Sequence, residues 1–433
     1  MKALLVERSL PRFAAARLAG AFASSKGAGL GPLRLADVDP PELPDGDDWF
    51  RLRPILSGIC GSDLSTLGGR SSRYFDELVS FPFVPGHEVV ATLEGPGYSA
   101  DGRRLEDGSR VVVEPVLGCV ARRVVPQCKG CAAGDTGDCE NVTVGHLRPG
   151  VQTGFCADTG GGWSTGGLVA HSSQIHPVPE ELSDRDAVVI EPLACGIHAA
   201  MTAEVREGDT VAVVGAGTLG LVVTAALTHL AATGRVRRPS GVLLGARYAH
   251  QRRLGEEFGA TRALATEQLS RALRRRTASL ALGAPHSSTL RLSGGADVVF
   301  DCVGTAESIE QCLSMTRPRG KVVLVGMPGK VRVDLAALWH REIELVGAYT
   351  YGTERLLSSE ETAKLSAVRT FELAIELSKS ARAGRLVSAT YPIERFEEAI
   401  AHAGSAGRRG AVKIAFDPTE RPTPTTSKKG MKR

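Results

Sequence analysis

Residues 209–230 read DTVAVVGAGTLGLVVTAALTHL. A short run of β-branched and small apolar residues meets Gly215, Gly217 and Gly220 and continues as an apolar stretch of helical character. The pattern G-x-G-x-x-G, set directly after a strand and opening a helix, is a dinucleotide-binding fingerprint. Gly215 supplies the tight turn, Gly217 lets a pyrophosphate approach the backbone, and Gly220 lets helix and strand pack closely. Thr218 and Leu219 open the helix, whose N-terminus faces the phosphate charge.

Towards the C-terminus, further strand-like runs follow: GVLLGA (241–246), ADVVFDCVG (296–304) and GKVVLVGMPG (320–329). Apolar runs alternating with helical segments indicate a doubly wound parallel sheet. The first of these, the second strand counting from 209–230, ends in Gly245-Ala246-Arg247, with Arg252 and Arg253 after it. An NAD enzyme places a carboxylate there for the ribose 2′-hydroxyl. An arginine neutralises a 2′-phosphate instead, so Arg247 favours NADP over NAD. The basic stretch between Leu269 and Leu292 interrupts the pattern and reads as a surface elaboration with its arginines on a solvated face. From about residue 350 the chain turns helical again and returns to a strand, RGAVKIAF (409–416). The Pro/Thr/Lys-rich end, 418–433, reads as a disordered basic tail.

Towards the N-terminus, AVVIEPLACGIHAAMTA (187–203) reads as a helix carrying Glu191 among apolar residues. A carboxylate there is costly unless it is paired or bound to a metal. Cys195 shares its face, as a rival ligand or a small core thiol. Earlier still, short strands with frequent turns (WFRLRPI, FPFVPGHEVVATLEG, GSRVVVEP) describe an irregular β unit. Within it, GICGSD (58–63) and GHE (86–88) offer Cys60, His87 and Glu88. A thiolate, an imidazole and a carboxylate make a zinc site with an open fourth position, as catalytic sites have. Cys119, Cys128, Cys131 and Cys139 offer four thiolates, which close a tetrahedron and read as a structural zinc site. Nine cysteines, four of them within 21 residues, favour metal over disulfides in a reducing compartment.

At 433 residues the chain exceeds what one core usually serves, so two domains are expected. A net charge of +4 is too small to argue for nucleic acid. No run of about 18 apolar residues reads as a membrane span. MKALLVERSL carries an acid, and Pro11 follows too early for a signal sequence, so a cytoplasmic protein is expected.

Taken in chain order, GICGSD, PGHE, the cysteine lobe, EPLAC, VGAGTLG, DCVG and VGMPG resemble the zinc-dependent medium-chain dehydrogenase/reductase family of alcohol, polyol and threonine dehydrogenases. The resemblance implies an α/β fold: a GroES-like domain over 1–182 that resumes at 350–417, and a Rossmann domain over 183–349, with the active site in the cleft. It implies a catalytic zinc on Cys60 and His87, with Glu88 as ligand or close neighbour. Glu191 fits the polyol and sugar branch, binding the metal directly or through water. Ser62 resembles the hydroxyl that carries the alcohol proton away, and Asp63 the structural acid beside the metal. The implied reaction is hydride transfer between an alcohol (secondary alcohol, polyol or sugar) or its carbonyl partner and NADP or NAD, in a homodimer or homotetramer. Two positions depart from the family. Ser65 stands where many members place a relay histidine, and Val125 stands where the lobe's first cysteine usually falls. Two alternatives are a zinc-free enone or quinone reductase and a non-catalytic nucleotide-binding protein. The first normally lacks Cys60 and the cysteine lobe. Intact Cys60, Ser62, His87 and Glu88 weigh against the second.

Overall fold

Strand Thr210–Val214 is buried along its whole length, which is what a strand covered on both faces requires. In the computed structural model, which describes residues 1–22, 31–283, 290–356 and 366–420, it lies inside a six-stranded sheet. The order is Arg262–Leu264, Gly241–Gly245, Thr210–Val214, Ala296–Asp301, Thr316–Leu324 and Glu344–Gly347. All five pairings are parallel. Numbered by sequence the order is 3-2-1-4-5-6, a doubly wound sheet whose strand order reverses beside Thr210–Val214.

Helices Ile190–Thr202, Thr218–Ala232 and Thr370–Ala381 share one apolar core, with Leu193, Ile197, Leu221, Phe371 and Leu377 all buried in it. The basic stretch between Leu269 and Leu292 is only in part the surface elaboration expected, since a docked helix runs into it. That helix, Thr266–Arg276, buries Leu269 and Leu273 against the sheet while its arginines face outward. Each fully buried leucine is worth about 1.5–3 kcal/mol, enough to dock the helix as part of the fold. Among the described residues of the remainder is a short antiparallel pair, Ala281–Leu282 with Arg291–Leu292.

A second sheet holds seven strands, in the order Val387–Tyr391, Lys413–Phe416, Trp49–Gly58, Val89–Glu94, Arg110–Val113 and Ile175–Pro177, with Leu168–His171 also on Trp49–Gly58. The last strand of the described chain pairs antiparallel with Trp49–Gly58, so Ala415 lies opposite Gly58. That pairing carries residues 411–416 to the end of the strand that leads into Cys60. Earlier in the chain, a helix spans Leu10–Phe22. Most of the expected C-terminal tail lies outside the described residues.

Candidate active site

Three segments converge where Trp49–Gly58 ends. Gly58 donates its N–H to the Glu88 carbonyl (2.9 Å), and Ile59 donates to the Ile414 carbonyl (2.9 Å). The indole N–H of Trp163 donates to the Gly58 carbonyl at 3.2 Å and fixes the strand end. Any side chain at Gly58 is excluded, since its Cβ would lie 1.8 Å from Glu88 Oε2. Cys60 then caps the short helix Gly61–Leu67, and its N–H donates to Asp63 Oδ2 (2.9 Å).

Cys60 Sγ, a ring nitrogen of His87 and a Glu88 carboxylate oxygen lie within 4.8 Å of one another. His87 and Glu88 are buried and Cys60 is half-buried. Asp63 Oδ1 sits 3.6 Å from His87 Nδ1, and both atoms are buried without a hydrogen-bond partner among the described residues. Glu88 forms a tight ion pair with Lys413 Nζ, both side chains being almost wholly buried. Lys413 escaped the sequence reading because it lies 325 residues from Glu88 and stands in an unremarkable strand.

Glu191, on the first turn of Ile190–Thr202, is buried and accepts a hydrogen bond from Tyr351 Oη (3.3 Å). Cys195 Sγ lies 3.6 Å from the same oxygen, so the shared helical face is real. Glu191 is not among the three donors that cluster within 4.8 Å. Ser62 is half-buried on the first turn of Gly61–Leu67, and Ser65 lies one turn on.

The electrostatics show a shortage of positive charge. Burial pushes the Glu191 carboxyl up to about 7, with the His87 charge opposing and Glu88 adding to the rise. Burial likewise raises Asp63. Burial disfavours the His87 cation, yet Asp63 and Cys60 outweigh that and push its pKa up to about 10. Carboxylates that cannot comfortably ionise together, around a thiol and an imidazole, suit a dication, and the Asp63 carboxylate behind His87 is the partner that zinc-ligating histidines use. The residues present fit zinc.

Cys119, Cys128, Cys131 and Cys139 also come together, all four sulfurs within 4.8 Å. The Cys119–Cys139 separation of 3.7 Å matches the edge of a tetrahedron with Zn–S bonds of about 2.3 Å. Cys119 accepts N–H groups from Cys128 (3.4 Å) and from the Asn141 side chain (3.2 Å), contacts that fix the position of its sulfur. Val125 is 90% exposed, so Cys119 supplies the sulfur that this position lacks. Arg122, fully buried, donates to the carbonyls of Leu117, Val144, Leu147, Arg148 and Gly150. It ties the lobe together and brings a cation beside it, another contribution the sequence did not reveal. Cys156 is a buried thiol outside this cluster.

At the fingerprint, Gly215 has φ +94°. A Cβ on Gly220 would lie 1.7 Å from the Gly215 carbonyl oxygen. Around Gly217 a Cβ would meet nothing within 4 Å, so the space at the helix N-terminus is open, as a phosphate cradle requires. Thr218 and Leu219 form the first turn of that helix. Gly215 donates to the Gly245 carbonyl (3.1 Å), which sets Arg247 beside the fingerprint. Arg247 and Gly217 line one cavity of about 430 Å³ with Tyr248, Ser405 and Arg408. Arg252 is turned to the Ala246 and Arg247 carbonyls, and Arg253 pairs with Glu257. Arg408 reaches this cavity from the C-terminal segment, a placement invisible in a linear reading.

Comparison with known proteins adds two family matches. Residues 46–180 match the alcohol dehydrogenase GroES-like domain, and residues 242–367 match the zinc-binding dehydrogenase model. The chain is 30% identical over 331 residues to sorbitol dehydrogenase of Arabidopsis thaliana, covering 72% of this chain and 77% of that protein. It is 26% identical over 400 residues to sorbitol dehydrogenase of Rattus norvegicus, covering 90% and 95%. Among solved structures, a zinc-binding dehydrogenase from Sinorhizobium meliloti 1021 bound to NADP superposes with a TM-score of 0.65 at 24% identity, covering 90% of this chain and 96% of that one. The 2R,3R-butanediol dehydrogenase from Bacillus subtilis superposes with a TM-score of 0.64 at 20% identity, covering 96% and 99%.

Proposed function

The chain belongs to the zinc-dependent medium-chain dehydrogenases, and from that premise we propose that its residues oxidise a polyol or a sugar-like secondary alcohol with NADP as the preferred acceptor. It is an oxidoreductase acting on a small alcohol with NAD(P), and zinc and NAD(P) are its cofactors. The observation that carries the finer reading is the convergence of Cys60, His87 and Glu88 beside a buried Glu191.

Zinc on these donors supplies Lewis acidity that lowers the pKa of an alcohol. Cys60 and His87 would hold the ion, and Asp63 would orient the His87 ring. Lys413 would hold the Glu88 carboxylate in place beside the ion, as ligand or neighbour. Glu191, tied to Tyr351, would bind the ion directly or through water. Ser62, on the turn after Cys60, would carry the alcohol proton away. Gly215, Gly217, Thr218, Leu219 and Gly220 would seat the cofactor pyrophosphate, and Arg247 with Arg408 would receive a 2′-phosphate. The four-cysteine lobe would hold a second, structural zinc.

We assign residues 1–182 with 350–417 to a catalytic lobe and 183–349 to a nucleotide lobe. Recruitment of Val387–Tyr391 and Lys413–Phe416 into the sheet of Trp49–Gly58 supports that division. No helix among the described residues is long and apolar enough to cross a membrane. A cytoplasmic location and a homodimer or homotetramer complete the reading. Turnover assayed over sorbitol, other polyols, sugars and simple alcohols with each cofactor tests it. Polyol oxidation with NADP is expected, with Arg247→Ala raising the KM for NADP by more than tenfold and that for NAD little. Turnover confined to simple primary alcohols, or equal effects on both cofactors, would refute it.

A further inference from the structure

The nucleotide lobe holds a second cavity, of about 290 Å³, lined by Arg291, Ser293, Arg319, His340, Arg341 and Glu342 among others. Arg291 and Ser293 lie just before Ala296–Asp301, and His340, Arg341 and Glu342 just before Glu344–Gly347, with Arg319 in the first half of Thr316–Leu324. The fingerprint glycines follow the end of Thr210–Val214, so this cavity lies at the opposite margin of the parallel sheet, away from where nucleotides bind such sheets.

Arg341 is 95% buried by exposure, at 5%. Its Nη2 donates to the carbonyls of Gly294 (2.7 Å) and Ser293 (3.4 Å), while buried Nη1 has no acceptor among the described residues. Arg291 is half-buried and lines the same space. No carboxylate among the described residues lies within ion-pair distance of either guanidinium. The Glu342 carboxylate is engaged at the rim by Arg319 Nε (2.6 Å), both side chains being largely exposed. Burial lowers the Arg341 pKa, and the Arg291 charge lowers it further. The backbone is held in an uncommon form at the rim, where non-glycine Arg319 and Glu342 have φ +56° and +49°.

A buried guanidinium with an idle donor, a second guanidinium beside it and no counter-ion is chemistry that an oxyanion would complete. The cavity is slightly smaller than the roughly 300–1,000 Å³ of ordinary organic-ligand pockets, which favours a small ion over a large metabolite. We propose that this cavity is an oxyanion site, taking inorganic phosphate or the phosphate of a small phosphomonoester between Arg291 and Arg341. The arginines after Leu269 then divide: those of Thr266–Arg276 face solvent, whereas Arg291 serves the site.

The test is calorimetric titration of inorganic phosphate into full-length protein saturated with NADP, at constant ionic strength, with glycerol 2-phosphate as a parallel arm. One site per chain is expected. Arg291→Gln should weaken it at least about tenfold, the loss of one charge-assisted contact, while Arg247→Ala leaves it unchanged. Arg341→Met should abolish it; if that variant does not fold, Arg291→Gln decides. Binding of inorganic phosphate alone indicates the free ion, and binding of both probes a phosphomonoester pocket. No binding by either, or binding unaffected by Arg291→Gln, would mean that Arg341 only caps the Gly294 turn, and would overturn the proposal.

Discussion

Glu88 and Lys413 are the pair at which a single substitution says most. Both are almost wholly buried and in direct ion contact. Removing one partner of a buried pair strands the other charge and costs about 3–5 kcal/mol. Lys413→Met should therefore destabilise the protein by that amount in denaturant unfolding. The double change Glu88→Gln with Lys413→Met should recover most of it, because two neutral groups leave no stranded charge. Equal losses in single and double variants would show that the pair is not coupled. The same pair marks the limit of what is legible in the sequence. Cys60, His87 and Glu88 stand in short glycine-bearing motifs, and the cysteines of the lobe lie within 21 residues, so local spacing reveals them. Lys413, Arg408 and Tyr351 reach their places only through long-range pairing. Their types are common, and no spacing singles them out.

At the scale of elements, buried Glu114 holds the end of Arg110–Val113 to its surroundings. It faces His176 Nε2 at 2.9 Å on the neighbouring strand and accepts from Arg369 Nε at 2.7 Å, from the strand Ser366–Arg369. Burial alone would raise its pKa, but His176 and Arg369 outweigh it and hold the carboxyl below its ordinary value of 4.5. Between the two values the unfolded chain binds more protons, so stability rises with pH there. The contribution is complete above about 4.5 and is lost as pH falls through the lowered folded value. Glu114→Gln should thus lower Tm near neutrality and flatten its fall on acidification. An unchanged acid limb would remove the role assigned to Glu114. Element types were largely readable: in 209–230 a short, wholly buried apolar run gives way across Gly215, Gly217 and Gly220 to a longer helical stretch. The helix Thr266–Arg276 was obscured because four arginines around Leu269 and Leu273 mask its apolar stripe.

At the scale of the molecule, Glu344–Gly347 is an edge strand of the parallel sheet, and Leu345 on it is 37% exposed. Leu335 and Trp339, just before it, are 54% and 80% exposed. An open edge with apolar neighbours is a template for pairing with a second copy. On the proposed homodimer or homotetramer, Leu345→Arg should shift the mass towards monomer in light scattering at constant concentration, and an unchanged mass would contradict pairing through this edge. The seven-stranded sheet could not be assembled from sequence alone, because its closing strands lie over 300 residues from Trp49–Gly58.

The proposed function depends on two metal centres, one catalytic and one structural. Metal analysis of the purified protein by mass spectrometry should find about two zinc ions per chain, one for each donor cluster. Cys60→Ala should retain about one, stay folded and lose turnover. Zero zinc in the native protein, or a Cys60→Ala variant that keeps both ions and full activity, would contradict the account.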